Sequence, residues 1–218
     1  MAHRKKILVA IATVAFAAAP AGASPILFLD RTTWLTSVAT LTATITFEGL
    51  ASPGVPGNYS TASGLSLSGV QFIGPTSSGY FLYTQDPGTA SYLNWNSGDL
   101  LMGGQASWGA SIRVNLPAGV TAVGTDVMTH TPFAAPVVLS LSTGHSFVIP
   151  TLNHPNRAFA GVVSSVPISW IQLTPQSSYV LVDNFAYGDA GAVPEPDTLI
   201  MAATGLLGLW VARRTRRS

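Results

Sequence analysis

The sequence predicts an all-β fold in which residues 24–190 form one antiparallel β-sandwich. Apolar and polar residues alternate with a period of two along much of this region, as they do in half-buried strands. The alternating runs are short, and turns rich in glycine and proline separate them, which favours a sandwich over a parallel sheet with crossover helices. The chain has no cysteine, so the predicted domain depends on a packed core and not on disulfides.

The domain is predicted to open with an apolar stretch followed by one helix. Residues 25–29 are mostly apolar, and Asp30 is placed to cap a short helix that runs through Val38. Trp34, Leu35 and Val38 are expected on the buried side of this helix.

Strands are predicted from residue 41 onward. Residues 41–48 alternate clearly, residues 49–64 form a predicted loop, and residues 65–73 form a second strand with a bulge at Gly69. Further alternating segments bring the count to about eleven strands. These segments are residues 80–84, 91–95, 108–116, 120–128, 137–142, 145–149, 158–163, 168–173 and 179–187.

Two features of these strands give specific expectations. Thr143 and Gly144 separate two alternating segments and predict a tight hairpin. Phe47, Ile112 and Leu139 each lie on the apolar side of a period-two pattern, so all three are predicted to face the interior.

The chain end carries three unlike features in a fixed order. They are Val193-Pro194-Glu195-Pro196, an apolar run over residues 199–212, and the cluster Arg213, Arg214, Arg216 and Arg217. This order resembles the PEP-CTERM sorting signal of bacterial exosortase substrates. A helix over the 14 residues of this run spans roughly 21 Å, short of a hydrocarbon core of about 30 Å. The segment is therefore expected to be a short membrane helix that anchors the chain only transiently, with its arginines left in the cytoplasm.

The N-terminus has the form of a secretory signal peptide. Three basic residues precede an apolar run over residues 7–19, and Ala21 and Ala23 mark a signal-peptidase cut before Ser24. The expected organisation is a signal peptide at residues 1–23, a β-sandwich at 24–190 and a sorting and anchor segment at 191–218. The tail's resemblance implies an exosortase-like membrane protease as a partner, transient contact with the inner membrane, and a final place at the cell surface or outside the cell.

Charge separates the targeting segments from the body of the protein. Residues 24–193 contain three basic residues, Arg31, Arg113 and Arg157, and seven acids, which gives 3 − 7 = −4. The chain as a whole is formally +1, so its positive charge belongs to the two ends. An acidic body that is poor in charge makes nucleic acid an unsuitable partner.

Motifs for catalysis are missing from the sequence. There is no G-x-S-x-G nucleophile elbow, no H-E-x-x-H and no phosphate-binding loop. Asp126 and His130 would share a strand face, and with His145 and His154 they could form a metal or acid-base site. The alternative is that these histidines are ordinary surface or hydrogen-bonded residues.

The body has a second, looser resemblance. Residues 46–49 and 182–188 resemble the body of many PEP-CTERM proteins and, more loosely, jelly-roll sandwiches of the galactose-binding kind. This resemblance implies a jelly-roll-like sandwich whose first and last strands are neighbours. It also implies a structural calcium ion held by Glu48, Asp183 and loop carbonyls, since oxygen ligands suit that cation. The alternative to calcium binding is that Glu48 faces solvent and that Asp183 orders a backbone turn.

Aromatic residues offer a candidate ligand contact. Trp95 lies between Asn94 and Asn96, so an exposed indole could stack on a sugar ring while the amides bind its hydroxyls. Core packing is the alternative for Trp95, and it is the expectation for Trp34, Trp108 and Trp170.

Taken together, these observations predict a non-enzymatic, exosortase-sorted protein of the cell surface or extracellular matrix, associated with exopolysaccharide or adhesion. The alternatives are a carbohydrate-binding module and a secreted hydrolase without a recognisable motif.

Overall fold

The computed structural model describes most of the predicted domain. Its described residues are 24–52, 55, 57–59, 63–74, 82–85, 100–103, 111–129, 135–153, 156–177, 179–191 and 204. The signal peptide lies outside these residues, and so does the sorting motif apart from Thr204. None of the helices within them is long and apolar enough to cross a membrane.

Fourteen strands and one helix occupy the described residues. They are β1 Ile26–Phe28, α1 Arg31–Thr36, β2 Val38–Ile45, β3 Gly57–Tyr59, β4 Leu65–Leu67, β5 Val70–Ile73, β6 Leu82–Gln85, β7 Leu100–Gly103, β8 Ile112–Asn115, β9 Ala122–Thr129, β10 Val137–Leu141, β11 Ser146–Ile149, β12 Ala158–Val163, β13 Trp170–Pro175 and β14 Val180–Ala190. The predicted fold class is confirmed, since the strands form two antiparallel sheets of a sandwich.

The larger sheet has eight strands in the order β1-β12-β9-β14-β7-β6-β3, with β2 paired to β14 beside this path. The smaller sheet has six strands in the order β11-β10-β13-β8-β5-β4. The long last strand β14 joins three neighbours, because β9 pairs along one side while β7 and β2 share the other. The expectation that the first and last long strands are neighbours is therefore confirmed for β2 and β14.

The core lies between the two sheets. Phe47, Ile112 and Leu139 are all buried, as the period-two patterns predicted. Phe72 packs edge-on against both Phe47 and Phe185, with ring centroids 5.2 and 5.3 Å apart. This aromatic group joins the strand regions nearest the two ends of the domain, so it closes the sandwich where no disulfide is present.

Helix α1 forms a third layer outside the eight-stranded sheet. Asp30 caps it as predicted, with its carboxylate accepting the backbone N–H of Thr33 at 2.7 Å. The helix ends at Thr36, and Val38 already belongs to β2, so the predicted length was wrong. Leu35 is exposed, whereas Trp34 is fully buried as predicted.

Two paired glycines make room for Trp34. Gly124 on β9 lies opposite Gly161 on β12, and the indole covers them. A Cβ at Gly161 would lie 2.6 Å from the indole, and one at Gly124 would lie 2.8 Å from the Phe159 ring. Trp34 and Phe159 then pack with ring centroids 5.7 Å apart. Glycine is required at both positions because the helix layer approaches the sheet so closely.

Other differences from the predicted elements are local. The predicted strand over residues 65–73 is a hairpin, because Ser68 and Gly69 both have positive φ and form the two-residue turn between β4 and β5. Strand β3 lies inside the predicted loop at residues 49–64, and the sequence patterns did not predict β7. The hairpin at Thr143 and Gly144 is confirmed.

Candidate functional site

A β-bulge in β14 creates a charged cluster on the outer side of the eight-stranded sheet. Val182 and Phe185 both face the core although they are three residues apart, and Asn184 between them has φ of 49°. The register with β9 shifts at the same place. Asparagine adopts this left-handed conformation more readily than most residues. The asparagine at position 184 therefore favours the bulge.

Two aspartates and two arginines meet at this bulge. Asp126 on β9 lies directly opposite Asp183 on β14. Arg31 donates to Asp126 at 2.9 Å, and Arg157 donates to Asp183 at 2.7 Å and lies 3.7 Å from Asp126. We call these four residues together with Asn184 the ion network.

Asn184 completes the ion network with its side chain and its backbone. Its Nδ2 donates to Asp126 at 2.9 Å and to Asp183 at 3.2 Å, while its backbone N–H donates to Asp183 at 2.6 Å. The Arg31 guanidinium also donates to the Asn184 carbonyl and lies 4.6 Å from the Phe159 ring centroid. Two of the three arginines in the body thus neutralise two facing aspartates and tie α1 to the sheet.

Burial sets the protonation of Asp183. Its carboxylate is almost completely removed from solvent, and this burial raises its pKa to about 6. The backbone N–H of Asn184 and the positive charge of Arg157 oppose the rise, while the charges of Asp126 and Glu48 add to it. Burial therefore disfavours the charged form of Asp183, while Asn184 and Arg157 favour it.

Calcium binding by Glu48 and Asp183 stays a prediction. Glu48 is exposed three residues beyond the end of β2, which pairs with β14, and its charge is felt at Asp183. Both carboxylate oxygens of Asp183 already accept hydrogen bonds, from Arg157 and Asn184. The described part of the chain contains no group of three or more His, Asp or Glu residues that could hold a metal ion.

The Asp126 carboxylate accepts hydrogen bonds from Arg31 and Asn184. Its predicted partner His130 lies outside the described residues, as does His154. His145 is exposed in the β10–β11 turn, with Nδ1 3.2 Å from the Thr143 hydroxyl. The structure thus brings the predicted residue Asp126 together with Asp183, a pairing that sequence spacing did not suggest.

The outer side of the six-stranded sheet is different in chemistry. Its central strands alternate buried and half-buried residues, and no acid occurs in any of its six described strands. The half-buried side chains of β5, β8 and β13 share one face of the sheet, because directly paired residues point the same way. We call the polar and aromatic members of this set the polar face: Gln71, Arg113, Asn115, Trp170, Gln172 and Thr174. The apolar Ile73, which pairs with Arg113, lies on the same side of the sheet.

Hydrogen bonds connect the polar face across two strands. Arg113 Nε donates to Asn115 Oδ1 at 3.2 Å, and Asn115 Nδ2 donates to Gln71 Oε1 at 3.0 Å. Gln71 Nε2 in turn donates to the Ser63 carbonyl at 3.0 Å. The side chains are held in fixed orientations, so the face is organised before any ligand arrives.

Trp170 and Arg113 form a stacked pair on this face. The guanidinium carbon lies 4.3 Å from the indole ring centroid, within the range of a cation–π contact. Trp170 was predicted to lie in the core, and the structure corrects this, because its neighbours Ile171 and Leu173 are the buried residues of β13. The period-two pattern already placed Trp170 with Gln172 and Thr174, so the signal was present in the sequence.

Several predicted site residues lie outside the described residues. They are Trp95 and Trp108, the signal-cleavage residues Ala21 and Ala23, and the motif residues Val193, Pro194, Glu195, Pro196, Arg213, Arg214, Arg216 and Arg217. The sugar contact at Trp95 stays a prediction.

The tail is identified by comparison with known families. Residues 192–217 match the PEP-CTERM protein-sorting motif. The resemblance found at the chain end is therefore confirmed, and the motif indicates an exported protein that is processed at the membrane. No curated protein matches the sequence.

Solved structures with a similar arrangement are distant in sequence. The K2 cleaved adhesin domain of Lys-gingipain is 11% identical, with a TM-score of 0.44 over 66% of this chain and 98% of that one. A variant of the family 29 carbohydrate-binding module CBM29-2 is 14% identical, with a TM-score of 0.37 over 72% and 99%. TmCBM61 in complex with β-1,4-galactotriose is 16% identical, with a TM-score of 0.37 over 61% and 98%. Likenesses at this level carry no argument about function.

Proposed function

We propose that this chain is a non-enzymatic, exosortase-sorted protein of the cell surface or extracellular matrix, which binds extracellular polysaccharide through the polar face. The observation that carries the proposal is the polar face itself, in which Arg113 joins the Asn115 and Gln71 amides to the Trp170 indole on a sheet that no described helix covers. Signal peptidase removes residues 1–23. An exosortase-like protease in the inner membrane then acts near Pro194, Glu195 and Pro196.

The chemistry of the polar face suits a sugar chain. Amide side chains both donate and accept hydrogen bonds, so Gln71, Asn115 and Gln172 can each bind a hydroxyl group in either role. Trp170 adds an apolar surface next to them for the C–H groups of a sugar ring. An extended polymer would lie across β13, β8 and β5, whose side chains are aligned by direct pairing.

Binding to soluble polysaccharides tests the proposal. The full-length chain, purified in mild detergent, is run by affinity electrophoresis through gels that contain neutral or acidic polymers. Replacing Asn115 and Gln172 by alanine should weaken binding by about tenfold or more, since each lost hydrogen bond to a ligand is worth about 1 kcal/mol. Thr42→Ala, an exposed position on β2 of the other sheet, is the matched control and should bind normally. Failure to bind any polymer would remove this function.

The mass of the mature protein tests the sorting part separately. Protein recovered from its native host should begin at Ser24 and lack residues 199–218. A mature surface form with an intact C-terminus contradicts exosortase processing and leaves the binding proposal untouched.

A secreted hydrolase remains the competing function. Asp126 and Asp183 are the facing carboxylates that would carry it, and the raised pKa of Asp183 is the observation in its favour. Against it, the ion network already engages all four carboxylate oxygens of these aspartates. A catalytic acid or base needs an oxygen that reaches the substrate, so release of reducing ends from any bound polymer is expected to be absent.

A further inference from the structure

The formal charges of the described domain are divided between its two sides. All five described acids, Asp30, Glu48, Asp126, Asp183 and Asp189, lie on the eight-stranded sheet or next to it. Arg113 is the single formally charged residue within the six described strands of the other sheet. A negatively charged ligand therefore meets a cation and no carboxylate on the strands of the smaller sheet, and meets carboxylates on the larger one.

The orientation of Arg113 favours one kind of anion. Its guanidinium carbon lies over the Trp170 ring, 4.3 Å from the ring centroid, and its Nε donates to Asn115. No hydrogen bond or ion pair to its two terminal Nη groups is formed by any described residue. A guanidinium in this state can donate two parallel N–H bonds from its end to one carboxylate. Arg113 occupies the ring face of Trp170 that it covers, so a sugar contacts Trp170 only through the rest of the indole surface.

We infer that the polar face selects an acidic, carboxylate-bearing polysaccharide, with Arg113 pairing end-on to a uronate carboxylate while Asn115, Gln71 and Gln172 bind the neighbouring hydroxyls. This inference rests on the proposed polysaccharide binding and adds the class of ligand. Trp170 positions the guanidinium by stacking, and the hydrogen-bond chain through Asn115 and Gln71 fixes its direction. The selectivity lies in one charged pair, so it should fall as salt is added.

Matched polymers test the selectivity. Polygalacturonate, alginate and hyaluronate are each compared with their carboxyl-reduced forms, which keep the backbone and lose the negative charge. The full-length chain should bind at least one acidic polymer about tenfold more tightly than its reduced form, because hydrogen bonds to charged groups exceed 1.4 kcal/mol. Arg113→Met, which keeps an apolar stem against Trp170, should abolish the difference, and Arg113→Lys should retain only part of it.

Controls separate this inference from the proposed function. Thr42→Glu lowers the net charge of the body by one, as Arg113→Met does, but at an exposed position on the other sheet. It should leave the preference unchanged, and thermal melts should show all variants folded. Equal binding of acidic and reduced polymers, unaffected by Arg113→Met, overturns the inference while polysaccharide binding stands. Binding to no polymer at all overturns both.

Discussion

Tryptophan and arginine occur on both outer sides of this sandwich, but their contacts differ between the two sides. On the eight-stranded sheet, Trp34 is fully buried beneath α1. Arg31 forms an ion pair with Asp126, and Arg157 forms one with Asp183. On the six-stranded sheet, Trp170 and Arg113 stack on each other and stay half-buried, with no acid beside them on their strands.

The difference teaches which side is available to a partner. Tryptophan and arginine contribute to stability on the larger sheet, where a helix covers the one and carboxylates pair with the other. They remain available for recognition on the smaller sheet, whose described strands carry no acid. The helix layer also covers the outer side of the larger sheet at Gly124 and Gly161, whereas no described helix lies against the smaller sheet.

The two tryptophans should differ most in their effect on stability. Trp34→Ala empties a fully buried site over two glycines and should cost about 3–5 kcal/mol of the free energy of unfolding. Trp170→Ala removes a half-buried ring and should cost about 1 kcal/mol. Urea unfolding of both variants measures the comparison, and equal losses would mean that the two sides are not as different as their burial indicates.

Arg157 on the larger sheet and Arg113 on the smaller sheet should differ in their effect on the free energy of unfolding. Arg157→Met leaves the buried Asp183 without its closest cation and should cost about 2–3 kcal/mol, because a stranded buried charge is expensive. Arg113→Met strands no charge and should cost less than about 1 kcal/mol. Adding Asp183→Asn to Arg157→Met should recover most of the loss. A loss at Arg157 no greater than that at Arg113 would show that the ion network contributes little.

The pH dependence of stability should come from the eight-stranded side. The folded-state pKa of Asp183, about 6, lies above its ordinary value of 3.8. The folded chain therefore binds more protons than the unfolded chain between these values, and the free energy of unfolding should fall as pH rises through this window. Asp183→Asn should remove that slope, while Asp189→Asn, exposed on the same strand, should keep it. An identical pH profile for the Asp183→Asn variant would contradict the assignment.

Chelation gives the smallest expected effect and separates two accounts of Asp183. If Glu48 and Asp183 hold calcium, a chelator should lower Tm by several degrees and Asp183→Ala should abolish the difference. If Arg157 and Asn184 alone neutralise Asp183, Tm should change by less than about one degree. Thermal melts of the full-length chain with calcium and with chelator distinguish the two.

Local signals in the sequence predicted local structure well. The Asp30 cap, the hairpin at Thr143 and Gly144 and the inward side of Ile112 depend on residues close in the chain, and each is present in the structure. Strand β3 was missed because its short segment lies among glycine, proline and serine, where no alternating pattern can develop.

The site depended on distant contacts and was harder to predict. Arg31 and Asp126 are 95 residues apart, and only the pairing of β9 with β14 brings Asp126 opposite Asp183. Charge alone did not indicate which acids would share a face. The polar face was easier to predict from the sequence, because the alternation in β13 already grouped Trp170 with Gln172.

The most direct test of the binding face is hydroxyl-radical footprinting of the full-length chain with and without a bound acidic polymer, followed by peptide mass analysis. The account predicts that the polymer lowers oxidation of Trp170 severalfold, while the exposed side chains of Leu29, Leu35 and Leu41 on the opposite side remain as reactive as before. Protection of those three leucines with Trp170 unchanged would contradict it and place the ligand on the eight-stranded side.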